Sequence, residues 1–433
     1  MAKNEQFKEH AIKFIKPMEN YEYNSGIVLR AYPSDMQKMM IVQNDNARRY
    51  IYNKCVEINH EIYMLNKVSI FCLPVQDRLD YLKSVRGNAS AISNMAPFLY
   101  EKNVDSLAKA NAIRNYNDAW KRFREVPGTG IPTFKSKSYD KHYQTNAQYQ
   151  PWMDDGLHDG SVRFLDNDHL KLPVLGRIRV KGSPEQLRAL MKMAFVRIGT
   201  VTVRIDNCGD CFISLQLASC LPFSPVLPKT DSMIGIDLNI ENFFATSNGD
   251  VIDNPKYANG LKDKLAKEQW KLSRKMEAAK RDGRNIYDSK NLQKQRVKVA
   301  KIQRNIARRR DDYQQVYSKQ LVESQDLIAV EDLKVKNMQK NHNLAGSIQD
   351  VSWSSFISDI SYKAERAGRI FVKIDPKYTT QTCSSCGHVN TGDSKLTLKD
   401  REWVCPECGI HHNRDINSAV NILIKGAETT GLG

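Results

Sequence analysis

Two Cys-x-x-Cys pairs near the C-terminus, in "CSSCGHVN" and "WVCPECG", constrain the fold of this chain more than any other feature. They place Cys383, Cys386, Cys405 and Cys408 in two knuckles with eighteen residues between them. A glycine, Gly387 or Gly409, follows each pair and permits a sharp turn. Two such turns close a tetrahedral cage of thiolates around one structural Zn²⁺, with no open position for catalysis. Whatever else forms, these two stretches must meet. The other cysteines are Cys55, Cys72, Cys208, Cys211 and Cys220, and the odd total of nine argues for a metal site over a disulfide framework. "CGDC" at Cys208–Cys211 is a lone pair between two strand-like runs and reads as a hairpin turn rather than as ligands.

Charge narrows the partners. The 433 residues carry 65 Lys plus Arg against 49 Asp plus Glu, a formal net charge of +16. Such an imbalance usually faces a polyanion, most commonly nucleic acid; a basic enzyme without such a partner is the plainer reading. No apolar run is long enough to span a membrane, and "MAKNEQFKEH" is not a signal peptide, so the expected location is the cytoplasm.

The pattern along the chain predicts several modules. "SGIVLRAYPSD" reads as a strand from about Gly26 to Tyr32, halted by Pro33, with Ser34 or Asp35 starting a helix. Apolar residues then recur at helical spacing to about Glu125, "VPGTGIPTF" breaks the pattern, and strands are expected from about Phe134 to Ala218. The simplest account is a β-barrel interrupted by a helical insertion after its first strand. "LPFSPVLPKTDS" reads as a linker. Beyond it, "IGIDLNIENFFATSNGDVIDN" reads as the start of a strand meander, followed by charged helices over about 257–281 and 289–323. Strands at "DLIAVEDL" and "RIFVKIDP" and helices at "WSSFISDISYKAERAG" and "NRDINSAVNILIKGA" complete an α/β pattern. The adjacent Arg308, Arg309 and Arg310 are either a solvated helix face or phosphate contacts.

Three carboxylates stand out against this pattern. Strand alternation puts Ile234, Ile236 and Leu238 on one face and Gly235, Asp237 and Asn239 on the other. A lone buried carboxylate costs several kcal/mol unless a positive charge sits on it, roughly speaking. Taken singly, Glu331 reads as a strand-end surface charge, and Asp415 or Asn413 as a helix N-cap. Taken together, Asp237, Glu331 and Asp415 suit a site where carboxylates from different elements hold two Mg²⁺ ions, one activating water and one steadying the leaving oxygen of a phosphodiester.

"GIDLNIENFFATSNG", "AVEDLKVKNM", "DPKYTTQTCSSCGHVN", "WVCPECG" and "NRDINSAVNI", in that order, resemble the split RuvC nuclease domain with an inserted zinc ribbon. Transposon-encoded TnpB proteins and the type V CRISPR effectors related to them share this arrangement. "VLRAYPSDMQ" with "NARRYIYN" resembles the N-terminal strand and first lobe helix of the family, and "LKLPVLGRIRVKG" its second barrel segment. The resemblance implies a multidomain α+β chain. An N-terminal β-barrel (the wedge) would occupy 1–33 and 131–222, with an inserted helical recognition lobe at 34–130. An RNase H-like (RuvC) α/β nuclease domain would occupy 223–377 and 412–433, with an inserted zinc ribbon at 378–411. By the resemblance, Asp237, Glu331 and Asp415 are the catalytic, Mg²⁺-binding carboxylates. Arg401 falls where relatives often carry a basic residue near the scissile strand. Arg48 and Arg49 are candidates for nucleic-acid contact, whereas Tyr50 and Tyr52 read as helix packing. Two departures stand: Asn239 replaces a usual glycine, though asparagine can still adopt a turn conformation with positive φ, and Asn413 replaces a frequent aspartate.

The implied function is an RNA-guided DNA endonuclease in a prokaryotic host, with guide RNA and target double-stranded DNA as partners. Within the family, the residues before "RAYP" and the short C-terminus lean to a miniature type V-F CRISPR effector; the alternatives are a transposon-encoded TnpB nuclease and a nuclease-inactive guided repressor. The type V-F resemblance implies a homodimer on one guide RNA. Its candidate seam is "MQKMMIV", although residue by residue the lobe's own core is the plainer reading of that segment.

Overall fold

The computed structural model describes residues 18–67, 73–149, 156–193, 196–334, 338, 346, 348, 350–397 and 399–432. The first seventeen residues, which open the expected first barrel segment, lie outside that range, as does most of the "VKNM" end of "AVEDLKVKNM". The chain divides into two compact units, Met1–Phe223 and Ser224–Gly433, and the division falls within the proline-rich run read as a linker.

In the first unit, β1 (Tyr23–Tyr32) alternates, with Leu29 and Ala31 buried and Val28, Arg30 and Tyr32 exposed. Pro33 ends it, and Ser34 caps α1 (Asp35–Leu65) through a reciprocal capping box with Gln37. α1 packs with α2 (Leu73–Val85), α3 (Ala89–Ser93) and α4 (Ser106–Glu125) around Ile51, Ile58, Leu82, Ile92, Leu99 and Ala112. Tyr52 meets Tyr116 edge-on and Tyr50 meets Phe98, which is the packing role expected of these tyrosines.

The strands β2 (Lys141–Asn146), β3 (Arg163–Asp166), β4 (His169–Leu172), β5 (Gly176–Lys181), β6 (Arg197–Ile205) and β7 (Cys211–Ser219) follow. The sheet order is β2-β6-β7-β1-β5-β4-β3, antiparallel throughout. β1 lies in the middle, paired with β5 and β7, so the helices are inserted between a first strand and its partners. β2 and β3 are the edges, and among the described residues hydrogen bonding joins the strands as a sheet without a closing pair. A helix interrupts the stretch expected to be all strand: α5 (Pro184–Lys192) buries Leu187 and Leu190 in the sheet's core. Its cues, proline at the first helical position and leucines three apart, are short enough to be lost among strand runs.

The second unit is built on β8 (Met233–Leu238), β9 (Asn242–Thr246), β10 (Val251–Asp253), β11 (Leu327–Glu331) and β12 (Ile370–Ile374). Their order is β10-β9-β8-β11-β12; the first three form an antiparallel meander, and β11 runs parallel to both β8 and β12. Two helices, α6 (Lys262–Arg281) and α7 (Lys290–Ser324), connect β10 to β11. α7 and α8 (Trp353–Ala367) cover one face through Ile234, Ile236, Phe244, Ile328, Val330 and Phe356. The last helix, α9 (Arg414–Thr430), packs on the opposite face, where Leu327, Ala329, Ile374 and Ile422 cluster. Between β12 and α9 lies a small hairpin of β13 (Glu402–Val404) and β14 (His411–Asn413).

Candidate active site

Alternation along two neighbouring strands sets the first two carboxylates. Gly235 pairs with Ala329 and Ile236 with Val330, so the next residues, Asp237 and Glu331, emerge side by side toward α9. Gly235 faces the same way. A Cβ there would lie 2.1 Å from the carbonyl oxygen of Ala419 and 2.6 Å from the amide nitrogen of Leu423. Gly426 meets the sheet similarly, since its Cβ would fall 2.5 Å from the Cβ of Ala329. Two glycines facing across the interface thus let α9 lie against the strands. Asn413 caps this helix, its Oδ1 accepting from the amides of Asp415 and Ile416, which starts the first turn beside Asp237.

All three carboxylates are buried, at 7% exposure for Asp237, 6% for Glu331 and 7% for Asp415. Ser418 donates to Asp237 Oδ1 at 3.2 Å, and Thr379 donates to Glu331 Oε1 at 2.6 Å. Asp415 Oδ2 accepts from Asn239 at 2.7 Å and from Arg401 Nη1 at 2.8 Å, while Arg414 Nη2 reaches Oδ1 at 3.3 Å. The second Arg401 nitrogen pairs with Glu241. Burial pushes the Asp237 carboxyl well above its usual range, and the nearby Glu331 and Asp415 add to the rise. Glu331 is also raised by burial, against the opposing effects of the Thr379 hydroxyl and Lys425. The three line a cleft of ≈ 1010 Å³ together with Arg401, Arg414 and Lys262.

Buried carboxylates forced together, with Asp237 and Glu331 raised above their ordinary range, are a hard-oxygen donor set that divalent cations would relieve. Among the described residues, the four C-terminal thiols are the only group of three or more His, Cys, Asp or Glu side chains whose ligand atoms all lie within 4.8 Å of one another. The carboxylate trio is wider, which suits a pair of ions about 3.5–4 Å apart better than one. Asn239 does not use the positive φ open to an asparagine. Its side chain makes the turn instead, Oδ1 accepting from the Glu241 amide at 3.0 Å while Nδ2 holds Asp415. Ser418, Thr379 and Arg414 were not singled out from the sequence. Ser418 follows Asp415 by three positions, a same-face helical spacing that could have pointed to it; nothing local marks Thr379.

The cysteine module has the geometry of a thiolate cage. Cys383 and Cys408 sulfurs lie 3.7 Å apart, as do those of Cys386 and Cys405. A tetrahedron with Zn–S bonds of about 2.3 Å has edges of about 3.8 Å, so the four residues fit Zn²⁺. Gly387 and Gly409 turn the knuckles at φ +78° and +72°. His412 Nε2 sits 3.1 Å from Cys383 Sγ, and its ring lies against Trp403. The module is also tied to the helix carrying Asp415: Asn417 Oδ1 accepts from the Ser384 amide, and Asn421 donates to the carbonyls of Thr379 and Thr382. Cys208 and Cys211 instead flank the β6–β7 turn, with the Cys211 thiol pushed up to about 12 by burial.

The remaining arginines separate. Arg401 is within the carboxylate cleft. Arg308 and Arg309 are exposed on α7, and Arg310 is half-buried. Arg48 turns inward, donating to the His142 carbonyl at 2.9 Å and to Asp45 at 2.8 Å, so it ties α1 to β2. Arg49, next to it, is half-buried.

Residues 216–342 match the family model described as "Probable transposase", and residues 353–422 match "Cas12f1-like, TNB domain". A relative from Streptomyces pristinaespiralis, named "Putative RNA-guided DNA endonuclease", is 37% identical over 406 residues, 93% of this chain and 90% of the relative. The chain belongs to the TnpB-related family of RNA-guided DNA endonucleases. A second member, the "CRISPR-associated endodeoxyribonuclease Cas12f1" of Sulfoacidibacillus thermotolerans, is 30% identical over 127 residues, 29% of each chain. The family fold extends over nearly the whole length. A solved chain titled "Cryo-EM structure of the Cas12f1-sgRNA-target DNA complex" aligns over 92% of this chain and 98% of its own, with a TM-score of 0.52 at 13% identity.

Proposed function

We propose that this chain is an RNA-guided DNA endonuclease whose catalytic residues are Asp237, Glu331 and Asp415. The observation that carries the reading is the convergence of three buried carboxylates from β8, β11 and α9 on one cleft. An antiparallel meander extended by two parallel strands, with a helix across the face, supports an RNase H-like (RuvC) reading of 223–377 and 412–433, with 378–411 as its zinc ribbon. Two Mg²⁺ ions held by the trio would activate water and stabilise the leaving oxygen of a target phosphodiester. The chain's own groups prepare this. Ser418 and Thr379 fix the carboxylates of Asp237 and Glu331, and burial beside the other two carboxylates raises the proton affinity of Asp237, which bound cations would lower again. Arg401 and Arg414 balance the charge of Asp415 and stand beside the path of a phosphate backbone.

The wedge at 1–33 and 131–222 and the lobe at 34–130 would hold the guide RNA and the guide–target hybrid through backbone contacts. We favour the transposon-encoded branch, acting as one chain per guide, over the type V-F homodimer. The model described as "Probable transposase" matches residues 216–342, whereas the Cas12f1 relative aligns over under a third of the chain. The test is guided cleavage by the purified chain and guide RNA on a matched plasmid. Cutting in Mg²⁺ that stops in EDTA is expected; guided binding with no cutting in either would support the repressor reading instead.

A further inference from the structure

The hairpin of β13 and β14 carries two adjacent histidines, and strand alternation sends them to opposite faces. His411 is exposed, its Nε2 lying 3.6 Å from a carboxylate oxygen of Glu402. His412 turns inward opposite Trp403, and the two rings lie 4.9 Å apart, centre to centre, at an angle of 30°. Both are buried, as is the Cys383 thiol. The stacked ring directs His412 Nε2 at Cys383 Sγ, 3.1 Å away. His412 is not itself part of the cage: among the described residues, the group whose ligand atoms all lie within 4.8 Å of one another is the four thiols alone.

A zinc ion held by four thiolates carries a net charge of about −2, and its buried sulfurs need hydrogen-bond donors. Knuckle amides serve three of them: that of His388 bonds Cys386, those of Glu407 and Cys408 bond Cys405, and that of Ile410 bonds Cys408. At Cys383 a side chain reaches the sulfur. A metal-bound thiolate offers only lone pairs, so the hydrogen belongs on Nε2. We propose that His412 is a positioning residue of the zinc site, donating Nε2–H to the zinc-bound thiolate of Cys383 and tightening the hold on the metal. Asn413, the next residue, caps α9, so the same bond ties the metal to the start of that helix. The assignment rests on the zinc-ribbon reading and not on the nuclease reading.

The test is competition for Zn²⁺ between the full chain and a chelator of known affinity, with Co²⁺-loaded samples read by absorption. His412→Phe keeps a ring against Trp403 and removes the donor, whereas His412→Gln keeps an amide N–H at a similar reach. Outer partners are worth about 10–100-fold in metal affinity. Zn²⁺ affinity is therefore expected to fall at least about tenfold in His412→Phe, to recover most of that in His412→Gln, and to stay at the parent value in His411→Gln. The thiolate-to-cobalt charge-transfer band of His412→Phe is expected to move to longer wavelength at unchanged intensity. A sulfur that loses its hydrogen bond gives up an electron more easily, and four thiolates remain. His412→Leu makes the same comparison with a smaller side chain should the phenylalanine prevent folding. Parent affinity in the variants without a donor, or equal loss with and without one, would overturn the assignment. So would a gain in band intensity, which would make His412 a ligand that had displaced a thiolate. A parent chain that binds no Zn²⁺ would overturn the cage as well, so the two failures are told apart.

Discussion

Asp237 stands where ionisation is most costly, buried in a strand beside two other carboxylates. A carboxyl whose folded pKa is raised takes up a proton on folding, so the fold is favoured below the unfolded value and loses that support as pH rises through the folded value. Asp237 and Glu331 are both raised, so the metal-free chain is expected to lose stability as pH climbs from about 4 toward neutrality. Asp237→Asn, which keeps an acceptor for Ser418, is expected to raise the metal-free Tm at pH 8 and to lose that advantage near pH 4. Each ~1 kcal/mol corresponds to about 2–4 °C for a unit of this size. A melting series across pH checks this; a lower Tm at pH 8 would mean that the ionised form is already compensated by the protein. Asp237 was legible from sequence because it interrupts an apolar alternation. Glu331 and Asp415 each have a plain reading alone, and their burial follows only once β11 and α9 are brought to β8.

Among the elements, the contact of α9 with β8 positions the site. Gly235→Ala would drive a methyl into backbone at 2.1 Å, which neither the strand nor the helix can yield cheaply. It is expected to cost about 1–3 kcal/mol and to draw Asp415 and Ser418 away from Asp237. Gly260→Ala, with nothing within 4 Å of its Cβ, is expected to leave stability and cleavage unchanged. Melting and cleavage measured on both variants distinguish them. The thiol module makes a parallel case: Cys405→Ser is expected to lose about one Zn²⁺ per chain by elemental analysis, while Cys208→Ser with Cys211→Ser loses none. Element types were largely readable, because alternation and helical spacing are local. The glycine contacts were not, since the need for Gly235 arises from a helix about 180 residues later. A separation of 48 residues likewise hides the Thr379–Glu331 bond.

At the scale of the whole molecule, the order of modules was legible from the proline-rich linker and the change of pattern at "VPGTGIPTF". The pairing of β1 with β5 and β7 depends on contacts across the inserted helices, which local patterns do not report. In the proposed seam "MQKMMIV", Met36 and Met39 are exposed while Ile41 is buried and Met40 packs on the first core, so only half of it is free to meet another chain. Native mass measurement of the protein–guide complex is expected to give one chain per guide; two would return the reading to the type V-F homodimer. The central claim is that Asp237, Glu331 and Asp415 cut DNA without being needed to hold it. Its most direct test measures guided binding and Mg²⁺-dependent cleavage side by side for Asp237→Ala, Glu331→Ala and Asp415→Ala. Each variant is predicted to bind matched DNA about as tightly as the parent and to have lost cleavage; a variant that still cuts at the parent rate would contradict the account.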